Sequence, residues 1–205
     1  MVLKSLTYEC SKRLFDIVLS IFAILIFFPL FIIISIIVKA TSPGDVFYRG
    51  IRTGLHGKVF KIFKFRSMYT GSDKGPGTTS KADVRITFVG VYLRKYKLDE
   101  LPQLFNILFG DMSFVGPRPE LKTYTDLYKG DEKLILTVRP GLTDFSSLYF
   151  SNLNELIDNK DPDKVYEKNI LPKKNYLRIE YVKKRNFLLD LNLILKTFIK
   201  VVGFK

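Results

Sequence analysis

The sequence offers almost no thiol or imidazole chemistry: Cys10 is the only cysteine and His56 the only histidine among 205 residues. A single cysteine cannot form an internal disulfide, which fits a reducing compartment. The chain also lacks the Cys and His partners expected of a zinc site or of a Ser-His-Asp hydrolase. Any catalysis must therefore use carboxylates, cationic side chains and a hard metal ion.

Acidic residues are scarce as well. The sequence holds 33 Lys and Arg against 20 Asp and Glu, which gives a formal net charge of +13. This balance favours an anionic partner, and composition leaves open nucleic acid, an acidic membrane surface or a phosphorylated substrate. With 47% hydrophobic residues, the length suits one domain of ordinary size plus an attached element.

Charges are absent from residues 17–38, an apolar run of 22 residues. As a straight helix this run would reach about 33 Å, enough to cross a bilayer core. It is too long for the apolar region of a signal peptide, and residues 39–43 make a poor cleavage site. Because Pro29 interrupts the run and both flanks are basic, two arrangements stay open: a spanning helix, and a helix that re-enters with both ends on the cytoplasmic side.

The segment after the apolar run shows strand and loop patterns. Two β-prone runs within residues 46–65 flank a Gly-containing turn at 53–57, which predicts a β-hairpin. Residues 69–82 are rich in Gly, Ser and Thr, which predicts a surface loop, with a substrate lid as the alternative.

Helical patterns dominate the rest of the chain. Apolar spacing predicts helices within residues 86–97 and 101–108. Residues 152–185 are charged and helix-prone, with breaks expected at Pro162 and Pro172. Residues 187–202 combine a broad apolar face with a narrow polar stripe, which predicts a helix that packs in a core or lies in the membrane interface.

Asp99 and Glu100 are adjacent carboxylates between a basic stretch and a helix pattern. One interpretation is a helix cap, because Asp is a favoured N-cap residue and Pro102 is tolerated in a first helical turn. The other is a catalytic carboxylate, since a helix N-terminus also suits an anion with a divalent cation, and Asp forms aspartyl-phosphates. The local sequence by itself favours the cap.

Three cationic segments are stiffened by proline or aromatic residues. They contain Lys64 and Arg66, then Arg118 between two prolines, then Arg139 before Pro140. Proline restricts its own φ and the residue before it, and a fixed guanidinium matches phosphate geometry well. Helix capping or pairing with a carboxylate explains any single Arg equally well.

These segments together resemble the bacterial sugar transferase family, the monotopic polyprenyl-phosphate phosphoglycosyl transferases. The order and spacing of the matching stretches fit that family over nearly the whole chain. The stretches are 12–16 (KRLFD), 41–44 (TSPG), 63–68 (FKFRSM), 98–104 (LDELPQL), 110–119 (GDMSFVGPRP) and 138–143 (VRPGLT).

The resemblance implies an enzyme that moves a sugar-1-phosphate from a UDP-sugar to polyprenyl phosphate and releases UMP. It implies that Asp99 is the nucleophile, that Glu100 assists attack by the lipid phosphate, and that Mg²⁺ sits with Asp99. The residues that it assigns to the phosphate and substrate site are Lys64, Arg66, Arg94, Arg118, Pro119 and Arg139. Many relatives have a Thr-Gly-Trp type run in the segment where this chain reads Leu142–Ser147, so the identity of the sugar stays open.

The implied fold is α+β and mainly helical, with a re-entrant membrane helix in residues 1–40 and a membrane-associated catalytic domain in 41–205. The helix is expected to bend near Pro29, although Phe28 stands where relatives often carry Ser. Amphipathic interfacial helices and a small β-hairpin complete it. The absence of a long N-terminal extension suggests a minimal catalytic form.

The expected location is the bacterial inner membrane, with the catalytic domain on the cytoplasmic face. No nucleic acid is expected as a partner, and a homo-oligomer is left open. Two alternatives are a membrane-anchored adaptor and a basic nucleic-acid-binding protein. The clustered motifs around Lys64, Asp99 and Arg118 disfavour the first, and the apolar run disfavours the second.

Overall fold

Residues 2–72, 83–151 and 162–203 are described by a computed structural model. The first helix, α1, spans Val2–Thr41 and runs through Pro29 without interruption. By length and composition it is the one helix in these ranges able to cross a membrane, and only 17% of its most apolar window is buried. A core helix would be mostly buried, so α1 instead presents an apolar surface.

Both ends of α1 contact the rest of the protein. Near the N-terminal end, the Asp16 carboxylate accepts hydrogen bonds from the Ser113 hydroxyl and the Phe114 N–H, each at 3.1 Å. Toward the C-terminal end, Phe31 and Val38 are buried in the main hydrophobic core. Between these contacts, residues 25–29 are exposed in five consecutive positions. The middle of α1 is therefore the part that stands away from the domain.

The described residues form three two-stranded sheets. Strand β1 (Phe47–Tyr48) pairs antiparallel with β4 (Lys64–Phe65), and between them β2 (Ile51–Thr53) pairs antiparallel with β3 (Val59–Lys61). The hairpin predicted within residues 46–65 is confirmed. A parallel pair joins β5 (Ser113–Val115) to β6 (Gly141–Thr143).

Helices make up most of the described fold, which confirms the α+β, mainly helical prediction. The 3₁₀ and π-helical segments of the described residues are the 3₁₀ turns at Leu55–Gly57 and Leu98–Glu100, a 3₁₀ helix at Gly130–Thr137 and a π-helical turn at Tyr166–Ile170. The α-helices after α1 are α2 (Phe88–Lys95), α3 (Gln103–Phe109), α4 (Lys122–Thr125), α5 (Phe145–Tyr149), α6 (Pro162–Val165), α7 (Leu171–Lys184) and α8 (Phe187–Val202).

The helix break predicted at Pro172 is wrong. Pro172 lies in the first turn of α7, where a missing N–H costs little, and the π-helical turn leads directly into it. Helix α8 has the predicted bounds. Its Asp190 and Leu193 are buried against the protein, while the apolar side chains of Leu188 and Phe198 are exposed. Residues 73–82 of the predicted loop lie outside the described residues.

The main core joins α1 to the elements that carry the candidate site. Phe31 packs its ring 5.5 Å from Phe65 of β4 and 5.7 Å from Phe105 of α3. The buried Asn106 side chain accepts from the Phe63 N–H at 2.8 Å and donates to the Lys61 carbonyl at 3.0 Å. These contacts fix β4 against α3, with the Leu98–Glu100 turn beside both.

Candidate active site

Asp99 and Glu100 occupy the 3₁₀ turn between α2 and α3 rather than the start of a helix. The turn begins after Lys97, which adopts a left-handed backbone with φ 57°, and α3 has Pro102 at its N-cap with no side-chain cap. The capping interpretation of Asp99 is therefore wrong. The Asp99 carboxylate does not cap α3 and can therefore contact a ligand.

The Asp99 carboxylate is buried, and within the described residues its Oδ1 has no hydrogen-bond partner. Burial raises the pKa of Asp99 above its ordinary value, while the Lys64 ammonium opposes that rise. An unsatisfied buried polar atom costs about 1–3 kcal/mol, so such atoms in native proteins require an explanation. A ligand that contacts Oδ1 would supply one.

Glu100 differs from its neighbour in having two cationic partners. Its Oε1 accepts from the Lys64 Nζ at 3.1 Å and from the Arg118 guanidinium. Burial alone would raise the pKa of Glu100, but Arg118 and Lys64 outweigh it and hold this pKa well below the ordinary value. Two adjacent carboxylates thus have pKa values shifted in opposite directions, a pattern typical of sites with divided acid–base roles.

Cations outnumber carboxylates around this pair. Lys64 and Arg118 contact Glu100, and the charges of Arg94 and Lys97 also act on Asp99. Four positive groups against Asp99 and Glu100 leave a local excess of two positive charges. The Lys64 and Arg118 side chains keep 21% and 30% of their surface exposed, so a phosphorylated ligand can reach them.

The backbone on both sides of Arg118 is fixed. On one side, the Pro117 carbonyl accepts from the Gly141 N–H at 3.0 Å. On the other, the Glu120 carbonyl accepts from the Thr53 N–H at 3.0 Å. Gly141 is required because a Cβ there would lie 2.1 Å from a backbone nitrogen of the facing strand end. Pro119 is buried within this segment. The stiffness predicted from the two prolines is thus reinforced by long-range hydrogen bonds.

Arg66 and Arg139 have other partners. The Arg66 guanidinium donates to the carbonyls of Val38, Ser42 and Pro43 at 3.2, 2.7 and 2.6 Å, where the last carbonyls of α1 need donors. Arg139 donates through Nε to the Gly110 carbonyl at 3.0 Å. The structure brings together Lys64, Arg94, Asp99, Glu100 and Arg118, whereas phosphate binding by Arg66 and Arg139 stays a prediction.

This site could supply only a few protein ligands to a magnesium ion. Within the described ranges, no group of three or more His, Cys, Asp or Glu residues converges. Mg²⁺ is commonly held by one or two carboxylates together with substrate phosphates and water. The unpartnered Oδ1 of Asp99 suits one such position, while the Oε1 of Glu100 already accepts from two cations.

Sequence reasoning missed three residues near the site. Lys97 gave no signal because its left-handed backbone is uncommon outside Gly and Asn. Gln103 is buried one turn beyond Asp99, and its Nε2 lacks a partner in the part of the chain described. Glu120 directly follows Pro119 and accepts a hydrogen bond from the buried Arg178 at 2.6 Å. Gln103 lies inside the matching stretch 98–104 and Glu120 directly follows the stretch 110–119, and these positions were the available signal.

Comparison with known proteins places the chain among transferases. It matches the family described as "Bacterial sugar transferase" over residues 7–204. It is 36% identical over 97% of its length to UDP-glucose:undecaprenyl-phosphate glucose-1-phosphate transferase of Xanthomonas campestris pv. campestris, and spans 40% of that protein. It is 38% identical over 72% of its length to UDP-N-acetylgalactosamine-undecaprenyl-phosphate N-acetylgalactosaminephosphotransferase of Aeromonas hydrophila, and spans 36% of that protein.

A relative of similar length also matches. The chain is 35% identical over 93% of its length to the uncharacterized sugar transferase EpsL of Bacillus subtilis (strain 168), and spans 87% of it. The matched region in the first two proteins is therefore a part of each, whereas in EpsL it is most of the protein. Because the family match covers nearly every residue, this chain belongs to the bacterial sugar transferase family.

Proposed function

We propose that this protein transfers a sugar-1-phosphate from a UDP-sugar to a polyprenyl phosphate such as undecaprenyl phosphate, through a covalent intermediate on Asp99. One observation carries the proposal: a buried carboxylate with an unpartnered oxygen lies beside a second carboxylate that holds two cations. The names of the Xanthomonas and Aeromonas relatives support the choice of both substrates.

In the first half-reaction, an Asp99 carboxylate oxygen attacks the phosphorus that bears the sugar. The bond from that phosphorus to the bridging oxygen breaks, and the electron pair leaves with UMP. The product is an acyl phosphate that joins Asp99 to the sugar phosphate. Lys64, Arg94 and Arg118 neutralise charge that spreads over the phosphoryl oxygens. Asp99 would hold a Mg²⁺ ion, which would add charge neutralisation.

In the second half-reaction, a phosphate oxygen of the lipid attacks the same phosphorus. The bond to Asp99 breaks, the carboxylate is regenerated, and the product is a polyprenyl diphosphate sugar. A phosphate monoester has its second pKa near 6 and is largely dianionic at neutral pH, so it needs little help to lose a proton. Since the pKa of Glu100 lies low, its contacts favour assistance by placing Lys64 and Arg118 rather than by taking a proton.

The contacts of α1 support a membrane arrangement. Both ends of this helix pack on one domain, and residues 25–29 around Pro29 are exposed. We propose that α1 enters the cytoplasmic face of the inner membrane and returns, with residues 25–29 deepest. The catalytic site then faces the cytoplasm, where UDP-sugars are found, beside the lipid phosphate.

The chemistry is tested in a reaction without lipid. With UDP-sugar and Mg²⁺ alone, we expect a burst of UMP of at most one equivalent and a mass gain of one phosphosugar on the peptide that contains Asp99. Asp99→Asn should abolish both signals, while the exposed Asp126→Asn serves as the matched control. Glu100→Gln should keep some labelling while turnover to lipid product falls, because the neutral amide no longer holds Lys64 and Arg118 by charge. An adduct on the Asp99→Asn protein would refute the assignment, and a panel of UDP-sugars with undecaprenyl phosphate identifies the sugar.

The topology is tested by labelling. Cysteines introduced at Lys4 and Lys58 in a Cys10→Ala background should be equally protected from an impermeant thiol reagent in intact cells. Both positions flank an apolar helix with basic residues on either side. Labelling at position 4 alone would establish a spanning helix. Permeabilised cells, in which both sites should react, give the control.

A further inference from the structure

Gln103 carries a buried side-chain amide with an unpaired nitrogen. Only 1% of the residue is exposed, and within the described residues its Nε2 has no hydrogen-bond partner. The nitrogen of a side-chain amide is a donor. Buried donors in native proteins are paired with the chain, with water or with a ligand, so this one requires an explanation.

The backbone places Gln103 on the same face as Asp99. Residues 98–109 follow one right-handed helical path, because the 3₁₀ turn continues through Leu101 (φ −51°, ψ −39°) and Pro102 (φ −63°, ψ −12°) into α3. Residues four apart on such a path lie on one side, about one turn from each other. The unpaired Nε2 of Gln103 and the unpaired Oδ1 of Asp99 therefore lie on one face without a hydrogen bond between them.

Asn106 shows the contacts of a structural amide on this face. It lies three residues beyond Gln103 in α3 and is also fully buried. Its side chain accepts from the Phe63 N–H at 2.8 Å and donates to the Lys61 carbonyl at 3.0 Å. Both ends of the Asn106 amide are thus paired with the segment that leads to Lys64. The Nε2 of Gln103 has no comparable partner among the described residues.

We propose that Gln103 binds the phosphoryl group that Asp99 transfers, by donating an Nε2 hydrogen bond to one of its non-bridging oxygens. The inference rests on the proposed function and adds one residue to its donor-phosphate site. When the Oδ1 of Asp99 bonds to phosphorus, the oxygens on that phosphorus are acceptors beside the same face. One phosphoryl group then satisfies both unpaired atoms.

Charge favours a phosphoryl oxygen over a metal ion as the partner of Gln103. If the amide were reversed, its Oε1 would face the site and suit a cation instead. The four cations around Asp99 and Glu100 already leave an excess of two positive charges. Such a site lacks an anion, and an amide donor binds an anion.

Substitutions of Gln103 separate the phosphate donor from the alternatives. Gln103→Leu keeps a similar volume and removes the donor, while Gln103→Glu keeps the shape and offers only acceptors when ionised. Both variants are assayed for the UMP burst without lipid, at saturating amounts of the UDP-sugar that gives the largest burst and over a range of Mg²⁺ concentrations. Thermal unfolding in detergent micelles monitors the fold, with Asn106→Leu as the matched control for a structural amide.

We expect Gln103→Leu to lower the burst rate by about 10²-fold, the effect of losing one donor to a charged oxygen in the transition state. Its thermal stability should not fall, whereas Asn106→Leu should be destabilised because its backbone partners lose their hydrogen bonds. Gln103→Glu should be slower still, since its carboxylate repels the phosphoryl oxygens. An unchanged burst for Gln103→Leu would overturn the proposal. So would a Gln103→Glu protein that keeps its burst and needs less Mg²⁺, because that result identifies a metal ligand.

A measurement on the unaltered protein covers the case in which a variant does not fold. Gln103 is the only glutamine among the 205 residues, so ¹⁵N labelling of glutamine side chains gives the NMR signal of one amide. Formation of the phosphosugar adduct without lipid should move one proton of that amide downfield, as a charge-assisted hydrogen bond forms. A signal that stays in place while the adduct forms would overturn the proposal. A wild-type protein without a UMP burst would instead refute the proposed function.

Discussion

Replacement of Glu120 by Gln tests a buried charge network that holds the segment of Arg118. The Glu120 Oε1 accepts from Arg178 at 2.6 Å and from the Tyr166 hydroxyl, and it lies 3.5 Å from the Lys174 Nζ. Arg178 is fully buried, with no exposed surface. Glu120→Gln keeps the shape of the side chain and removes its charge. The buried Arg178 would then keep its charge and lose the carboxylate that it contacts at 2.6 Å.

Two routes give the size of the effect. Burial raises the pKa of Glu120, but Lys174 and Arg178 more than offset it and lower this pKa from its ordinary 4.5 to about 2. At ~1.36 kcal/mol for each pH unit, that difference stabilises the folded state by about 3 kcal/mol. Breaking a buried ion pair by removal of one partner costs about 3–5 kcal/mol, in agreement.

The sign of the pH dependence follows from the depressed pKa. The stabilisation from Glu120 is fully present above pH 4.5 and is lost as the pH falls toward 2. Urea unfolding in detergent micelles should therefore show a deficit of about 3 kcal/mol for Glu120→Gln at pH 7, narrowing below pH 4.5. The exposed Glu167→Gln is the control. A deficit below about 0.5 kcal/mol at pH 7, the range of ordinary surface substitutions, would refute the reasoning.

Two further predictions concern cations of the candidate site. Arg66→Lys should destabilise the protein by about 1–3 kcal/mol in thermal unfolding, because lysine cannot span the carbonyls that Arg66 binds at the end of α1; unchanged stability with weaker UDP-sugar binding would instead give Arg66 its predicted phosphate role. Arg94→Gln removes a charge that lowers the pKa of Asp99, so the acid limb of the UMP-burst rate should move to higher pH. An acid limb that does not move would show that the charge of Arg94 does not act on Asp99.

Local patterns predicted the elements of this fold whose partners are near in sequence. The hairpin within 46–65 combines strand formers with a turn, and α8 repeats an amphipathic period over its whole length, so both follow from local spacing. Asp99 shows where such reasoning fails. The cap signal was present, but Lys97 turns the chain before α3 begins, and nothing local predicts a left-handed lysine.

Long-range partners explain the remaining differences. Arg66 binds carbonyls more than twenty residues earlier in the chain, at the end of α1, and Glu120 pairs with Arg178 on α7. Neither pairing can be predicted from the few residues that flank Arg66 or Glu120 in the sequence. The sequence showed that these side chains are cationic or acidic, and only the tertiary structure shows which of them have their hydrogen bonds satisfied by the protein.

Stiffness therefore does not by itself identify a phosphate-binding arginine in this chain. Arg66 and Arg118 both lie in stiffened segments, yet one binds backbone carbonyls and the other binds a carboxylate. The hydrogen bonds from Arg66 to these carbonyls stabilise the C-terminal end of α1. A phosphate could bind the Arg66 guanidinium only if those hydrogen bonds were broken. Glu100 holds Arg118 and Lys64 beside the buried Asp99 while both cations stay partly exposed. A substrate phosphate can contact those two cations while Glu100 continues to position them, which is why this pair best fits a transferase site.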